Sequence, residues 1–406
     1  MTGRLEHVVV VGASAAGLSA ADGLREGGFD GSITVLGAER HPPYDRPTLS
    51  KGLLTTEGEP ELLALRTPQR LAEARIELLL GHAAAGLDID RRYVITTYGE
   101  TLPYDAVVLA CGSRPRQIRS TGGEALPVLR TPQDLHVIRQ AAELHGELTV
   151  IGAGFIGLEI AAALAVRGVR VTVIGATPLP LDTVVGPEAA ATVRDLHLAH
   201  GVSLRMPATV DSVHGGPGDY RLRLSDGTVH RTASVVAGIG AEPDVTWLTG
   251  SGVDLDGGVV CDVAGRTSVP GIWAAGDVAA FDHPVLGQRA RVEHWTHAIE
   301  QGRHVGLNIA RGRTIPYTAV PYFWTDQYSH RFQCYGRRRP GDEMVLAEGS
   351  LDDDYLVLFG RDQVFSAALA RGRARSLKAY RKLLERSGTW DDARTLARAG
   401  HAVGAN

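Results

Sequence analysis

Sulfur is scarce in this chain of 406 residues, with three cysteines and three methionines. Cys111, Cys261 and Cys334 stand far apart and form no Cys-x-x-Cys pair. That argues against a disulfide scaffold and against a zinc site, and it fits a reducing cytoplasm. No cysteine occurs between Glu39 and Leu80. The fifteen histidines show no metal-ligand spacing, so no metal is expected. No apolar run reaches the eighteen or so residues that a membrane span needs. Met1 leads almost directly into a strand, so no signal peptide is expected either. At 44% hydrophobic and 22% charged residues the composition is that of an ordinary soluble protein, long enough for two or three domains. Neither a nucleic-acid nor a membrane partner is expected, and the chain should be a monomer or a weak homodimer.

The net charge of −4 conceals an asymmetry: from Arg289 onward there are 19 Lys/Arg against 13 Asp/Glu. A basic C-terminal third on an acidic body suits an acidic partner, and equally suits solvated Arg-rich helices.

Glycine is abundant, and its placement carries the argument. Leu148–Ile151 is an apolar run that enters Gly152-Ala-Gly154-Phe155-Ile156-Gly157 and leaves as an Ala/Leu-rich helix, with a second apolar run at Val169–Ile174. Strand, tight turn, helix and strand are the context in which Gly-x-Gly-x-x-Gly marks a dinucleotide site. Gly152 allows the turn, Gly154 lets backbone approach a pyrophosphate, and Gly157 lets the helix pack on the strand. The helix N-terminus then offers free N–H groups and the positive end of its dipole.

The amino terminus repeats the pattern. His7–Val11 runs into Gly12-Ala-Ser14-Ala15-Ala16-Gly17, then a helix to about Glu26 and a strand at Ile33–Leu36. Val35-Leu36-Gly37-Ala38 matches Val173-Ile174-Gly175-Ala176. Ser14 replaces the middle glycine, but serine is small and its hydroxyl can donate to a phosphate. Glu39 sits where an acid would hold a ribose hydroxyl. Two framed fingerprints imply two dinucleotides, a flavin and a nicotinamide that pass electrons between them.

Short strands are expected from Glu73 to Tyr104, with turns at Asp88–Arg92 and Tyr98–Glu100, then a buried strand Ala106–Ala110 ending in Cys111-Gly112-Ser-Arg-Pro115. Gly122–Gly123 opens a linker into the second nucleotide unit, which Ser234–Gly240 closes. Gly271–Asp277 is a strand with an acid at its tip, at Gly276-Asp277, and Glu293 to about Ile309 is helical. After Pro316 come strands at Val345–Leu346, Tyr355–Phe359 and Val364–Leu369 and a basic helix near Leu377–Glu385. The fold class is therefore α/β: two Rossmann-like dinucleotide-binding domains, residues 1–115 with 240–315 and residues 116–239, and a C-terminal α+β domain, residues 316–406.

Six blocks give the chain a specific resemblance: Gly-Ala-Ser-Ala-Ala-Gly; Pro-Tyr-Asp-Arg-Pro-Thr-Leu-Ser-Lys; Gly-Ser-Arg-Pro-Arg; Gly-Ala-Gly-Phe-Ile-Gly-Leu-Glu; Trp-Ala-Ala-Gly-Asp-Val with Arg-Val-Glu-His-Trp; and Pro-Tyr-Phe-Trp-Thr-Asp-Gln-Tyr. From Val8 to Tyr328 it resembles the FAD-containing, NAD(P)H-dependent ferredoxin reductases that serve bacterial monooxygenases and dioxygenases, proteins of glutathione-reductase-like fold. The resemblance implies that the Gly12–Gly17 turn holds the FAD pyrophosphate, with Ala38 and Glu39 at the adenosine ribose. It implies FAD contacts from Arg46, Lys51 and Arg130, from backbone near Ala84, and from the strand end Ala110-Cys111-Gly112. Asp277 would bind the ribityl chain. Trp295, in the block with Glu293 and His294, would lie against the isoalloxazine, and Trp324 would approach the flavin and border the ferredoxin site. The Gly152 turn, with Gly175 and Gly240, would take the nicotinamide nucleotide. Lys51 and Glu159 are expected as an ion pair near flavin N5, where a lysine can stabilise the charge of the reduced ring. The plainer alternative for Glu159 is charge compensation of the helix N-terminus.

Gly175 departs from the family, in which an acid usually ends this strand and holds the 2′-hydroxyl of NAD. No acid follows until Asp182, and no Lys or Arg lies between Val171 and Val193 to grip a 2′-phosphate. The missing cation favours NADH and does not exclude NADPH. The expected activity is hydride transfer from the nicotinamide to FAD, then single electrons to an iron–sulfur ferredoxin. A flavin-dependent oxidase and a nucleotide-sensing interaction module are the alternatives. A disulfide or peroxide reductase would need the flavin-side cysteine that Glu39–Leu80 lacks.

Overall fold

The computed structural model describes residues 5–403 apart from 57, 59 and 60. The outermost residues of the first and third expected domains, 1–4 and 404–406, lie outside the described residues.

Four consecutive valines, Val8–Val11, favour extended backbone because β-branching restricts χ1 in a helix. With no polar alternation among them, they suit a strand covered on both faces. The strand His7–Val11 accordingly lies at the centre of a five-stranded parallel sheet ordered Ile272–Ala274, Ala106–Leu109, His7–Val11, Ser32–Gly37, Ile76–Leu80. Val9 pairs with Thr34 on one side and Val107 on the other. A second parallel sheet repeats the order with four strands: Val235–Ala237, Glu147–Ile151, Arg170–Ile174, Ser203–Arg205. Each sheet is accompanied by a three-stranded antiparallel meander, Ala84–Asp88 to Thr101–Pro103 in the first case and Val210–Gly216 to Val229–Thr232 in the second. The repetition seen in the glycine turns thus extends to whole layers.

The C-terminal part is a five-stranded sheet ordered Tyr322–Gln327, His330–Gly336, Val364–Arg371, Tyr355–Arg361, Glu343–Gly349. Tyr355–Gly360 is buried at every position, as suits an interior strand. The helix Ala374–Glu385 buries Leu377, Tyr380, Leu383 and Leu384, leaving its Arg and Lys positions to solvent. Trp390, 1% exposed, opens the last helix and stacks on Phe365.

Contacts divide the chain into two compact units. The first takes residues up to Asp45, Leu62–Arg114 and Glu242–Tyr322; the second takes Arg46–Glu61, Pro115–Ala241 and everything from Phe323. Residues 46–61 and the C-terminal sheet therefore group with the second nucleotide-type sheet.

Three features add to what the sequence suggests. The stretch read as a linker after Gly122–Gly123 holds a helix, Pro132–His145, started by a capping box in which Thr131 accepts from the Asp134 N–H and Asp134 from the Thr131 N–H. Arg46–Ser50 in the proline-rich loop is a 3₁₀ helix, with Pro47 inside its first turn. The strands Tyr322–Gln327 and His330–Gly336 and the helix Trp390–Val403 were not anticipated from local pattern. The two strands are neighbours in the sheet, but what fixes their buried faces is distant in sequence: Thr325 meets Glu159 and Cys334 pairs with Leu369.

Candidate functional site

The two glycine turns are built on the same bonds. Gly12 N–H donates to Leu36 at 2.9 Å and Gly152 N–H to Ile174 at 2.8 Å, each tying the turn to the neighbouring strand. Ala110 N–H reaches Val11 and Gly238 N–H reaches Ile151 from the strand on the other side. Gly12 and Gly152 have φ of +118° and +117°, and a Cβ on either would overlap a backbone carbonyl, that of Ala110 or of Gly238. Only glycine fits both conditions. Gly17 and Gly157 lie against the carbonyls of Gly12 and Gly152, which brings each helix down onto its turn.

Helix starts in the chain are of two kinds, capped by a side chain or not. Thr67 and Thr131 cap their helices with side-chain oxygens. The helices Ala15–Glu26 and Phe155–Val166 start at Ser14 and Gly154 with no side-chain cap bond and no acid in the first turn. Their first N–H groups are left for an outside acceptor. At Gly154 a Cβ would meet nothing within 4 Å, so the space above the turn is open, and Ser14 occupies the equivalent place. Both cradles fit a pyrophosphate.

The first unit holds Gly12, Ser14, Ala15, Ala16, Gly17, Ala38, Glu39, Ala84, Ala110, Cys111, Gly112, Gly276, Asp277, Glu293, His294 and Trp295. Glu39, two residues past the strand Ser32–Gly37, accepts from the Tyr44 hydroxyl at 2.8 Å. Asp277 accepts from Ser113 at 2.9 Å, and the Gly276 N–H donates to Gln301 at 2.8 Å, so the acidic tip is fixed from two sides. Sequence reasoning singled out neither Ser113 nor Gln301. Ser113 does stand in the Gly-Ser-Arg-Pro block, which was the available signal. Cys111 donates to the Asp244 carbonyl, and burial pushes its thiol up to about 12. It is a packed strand-end residue, not a thiolate. Arg291 pairs with Glu293, His294 precedes the helix Trp295–Ala310, and Trp295 packs partly on the core around the first turn's helix.

The second unit holds Arg46, Lys51, Arg130, Gly152, Gly154, Phe155, Ile156, Gly157, Glu159, Gly175, Gly240 and Trp324. Its focus is Glu159, 4% exposed on the helix Phe155–Val166. Lys51 Nζ lies 2.8 Å from both of its carboxylate oxygens. Ser50 also donates to it, as do the Thr325 hydroxyl at 2.7 Å and the Asp326 N–H at 3.3 Å. This carboxylate is saturated by partners from the 3₁₀ helix and the C-terminal sheet, so compensation of its own helix terminus does not describe it. Lys51 also lies over the Trp324 ring, 5.8 Å from its centroid. Arg46 donates to the carbonyl of Arg130, whose N–H is held by Asp134. Sequence reasoning does not single out Ser50, Thr325 or Asp326, although Ser50 stands in the Pro-Tyr-Asp-Arg-Pro-Thr-Leu-Ser-Lys block and the other two in Pro-Tyr-Phe-Trp-Thr-Asp-Gln-Tyr.

Gly175 follows the strand Arg170–Ile174, where its N–H donates to Arg205 and its carbonyl accepts from Ala208 at 2.7 Å. A Cβ there would stand 2.8 Å from Ala153 Cβ and 2.7 Å from Met206 Cε. Gly37 stands in the same relation to Ala13 in the first unit. Glycine at 175 is thus matched to alanine inside the fingerprint.

Among the described residues no group of three His, Cys, Asp or Glu side chains is placed to hold a metal, and no helix is long and apolar enough to cross a membrane.

Comparison with known proteins matches residues 6–302 to the pyridine nucleotide-disulphide oxidoreductase family and residues 322–400 to the reductase C-terminal family. The chain is 33% identical over 355 residues to rhodocoxin reductase of Rhodococcus erythropolis, covering 87% of this chain and 83% of that protein. It is 32% identical over 389 residues to the 3-phenylpropionate/cinnamic acid dioxygenase ferredoxin–NAD(+) reductase component of Photorhabdus laumondii, covering 94% and 96%. Among solved structures, the covalent putidaredoxin reductase–putidaredoxin complex matches with a TM-score of 0.87 at 31% identity, over 94% of this chain and 93% of that one.

Proposed function

The chain belongs to the pyridine nucleotide-disulphide oxidoreductase family, and from that premise we propose that it is a ferredoxin reductase: NADH reduces bound FAD, and the electrons leave one at a time to an iron–sulfur ferredoxin that feeds a monooxygenase or dioxygenase. The observation that carries this reading is the pair of open pyrophosphate cradles in a chain with no reactive thiol. Cys111, Cys261 and Cys334 are free and far apart, none lies between Glu39 and Leu80, and burial pushes each up to about 12, toward the protonated thiol. Relatives over nearly the whole chain are ferredoxin–NAD(+) reductase components.

FAD, when bound, accepts two electrons as hydride and releases them singly. The chain's own residues do the rest. The Gly12–Gly17 turn and its uncapped helix would hold the FAD pyrophosphate, Glu39 the adenosine ribose and Asp277 the ribityl chain, with Trp295 at the ring. The Gly152–Gly157 turn would hold the nicotinamide nucleotide. Lys51 is the cation assigned to the negative charge that reduction develops, and Glu159 holds its ammonium in one place. The absence of Lys and Arg from the stretch after Gly175 favours NADH over NADPH. The basic C-terminal third suits an acidic ferredoxin, and the lack of any disulfide among the three cysteines supports residence in the cytoplasm.

The test is anaerobic, NADH-driven reduction of an iron–sulfur ferredoxin by the FAD-loaded protein at low and high ionic strength. Two ferredoxins should be reduced per NADH, more slowly in high salt as screening weakens steering. Consumption of NADH only when oxygen is admitted would refute the reading in favour of an oxidase.

A further inference from the structure

Glu159 is the end of a longer chain of hydrogen bonds that runs through the second unit. The strand Tyr322–Gln327 alternates, and its buried positions Phe323, Thr325 and Gln327 each meet a residue of the nucleotide-type layer. Phe323 packs on Phe155, with ring centroids 4.8 Å apart. Thr325 donates to Glu159 at 2.7 Å. Gln327 bonds His197 at 3.1 Å, on the helix Pro187–Ala199. Gln327 Nε2 also donates to Thr325 Oγ1 at 2.9 Å, and the Tyr328 hydroxyl lies 3.1 Å from His197 Nδ1.

The direction of every bond follows from its end. An ionised carboxylate only accepts, so the Thr325 proton points at Glu159 and its oxygen must accept from Gln327 Nε2. The amide oxygen of Gln327 then faces His197, whose Nε2 must carry the proton, leaving Nδ1 to accept from Tyr328. One tautomer of histidine and one rotation of the amide satisfy the whole chain. His197 is fully buried, and burial pushes it down to about 4, so the ring stays neutral as this arrangement requires. Four donors in series are oriented toward one carboxylate, and such series polarise one another in the same sense.

We propose that Gln327 and His197 are positioning residues for Lys51, acting through Thr325 and Glu159: the oriented chain Tyr328–His197–Gln327–Thr325 fixes the rotation of the Glu159 carboxylate and so fixes the ammonium it holds. Its consequence for the flavin rests on the proposed function; its consequence for Lys51 does not. The strand that carries Trp324 is thereby tied to the two nucleotide-layer helices by polar bonds of fixed direction as well as by the Phe323–Phe155 contact.

The chain has only three lysines, Lys51, Lys378 and Lys382, so side-chain ammonium NMR of the full FAD-loaded protein reads Lys51 with little overlap. Thr325→Val keeps the volume and removes the donor, Gln327→Met breaks the chain one bond further out, and Thr325→Ser restores the hydroxyl. Solvent exchange of the Lys51 ammonium should rise about tenfold in Thr325→Val and by a smaller factor in Gln327→Met, and return to the original rate in Thr325→Ser. The flavin midpoint potential should shift in the same order. Unchanged Lys51 exchange in folded Gln327→Met overturns the proposal, whatever Thr325→Val does. Faster exchange with an unmoved potential upholds it and overturns only the assignment of Lys51 to the flavin's charge.

Discussion

Valine at position 154 should separate ligand binding from folding. Gly154 has ordinary extended backbone, φ −86° and ψ −174°, and a Cβ there meets no protein atom within 4 Å. Valine tolerates that backbone, and its cost as a poor helix cap is about 1 kcal/mol. The added methyls nevertheless stand in the space assigned to the pyrophosphate, above the open N–H groups of the helix Phe155–Val166. Ser14 in the sister turn shows that a small side chain can be accommodated there, which is why valine rather than alanine is the informative choice. Gly152→Ala is the contrasting variant. It needs φ near +117° and drives a Cβ into the Gly238 carbonyl, so at least about 3 kcal/mol of stability should be lost as two adjacent strands part. The assay is calorimetric titration of each folded variant with NAD⁺, beside urea unfolding. Gly154→Val should unfold close to the parent and bind at least tenfold more weakly, a loss of about 1.4 kcal/mol. Parent-like affinity in folded Gly154→Val would refute the assignment of this turn to the nicotinamide nucleotide.

Three other outcomes follow from named contacts. In a double-mutant cycle, Glu159→Gln should cost about 3 kcal/mol by leaving Lys51 half-buried and uncompensated. Lys51→Met should cost less, because Ser50, Thr325 and Asp326 still donate to Glu159, and the double variant should cost at least about 1 kcal/mol less than the sum; additive urea midpoints would contradict this. His197 and His297 are pushed down by burial to about 4 and about 3, so both are neutral when folded and protonate on unfolding below their ordinary 6.5. Stability should therefore fall as pH drops from 6.5 toward 4, by roughly 2–3 kcal/mol for His197, and a His197→Gln variant with the same acid slope would count against it. Gly175→Glu should raise the NADH over NADPH preference about tenfold while losing about 1–3 kcal/mol to the Ala153 and Met206 contacts, with Ala153→Gly recovering much of the loss; an unchanged coenzyme ratio would place the 2′ position elsewhere.

The parts of the fold legible in the sequence are those in which a few adjacent residues meet a hard steric condition. Gly12 and Gly152 are forced by φ and by a carbonyl, and Val8–Val11 by β-branching, so a short window is enough. The helix Pro132–His145 was also locally legible, since Thr131, Pro132 and Asp134 spell a cap, but the preceding Gly122–Gly123 pointed to a linker. Glu159 illustrates what no window holds. Its candidacy as a site residue came from a resemblance, whereas its partners Ser50 and Thr325 are 109 and 166 residues away. The bond from Gln327 to His197 spans 130 residues and couples one buried strand face to a helix of another layer. Gly175 is intermediate: its lack of an acid is visible in sequence, while the reason glycine stands there, Ala153 at contact distance, is visible only in three dimensions.

The central claim is that this chain moves electrons from a nicotinamide nucleotide through FAD, and anaerobic stopped-flow mixing of the FAD-loaded protein with NADH tests it most directly. The account predicts loss of the oxidised-flavin absorbance well within a second, at a rate no slower than the 1–10³ s⁻¹ of ordinary turnover, with full return of the absorbance when two equivalents of oxidised ferredoxin are added. Flavin absorbance that persists for many seconds in saturating NADH would contradict it.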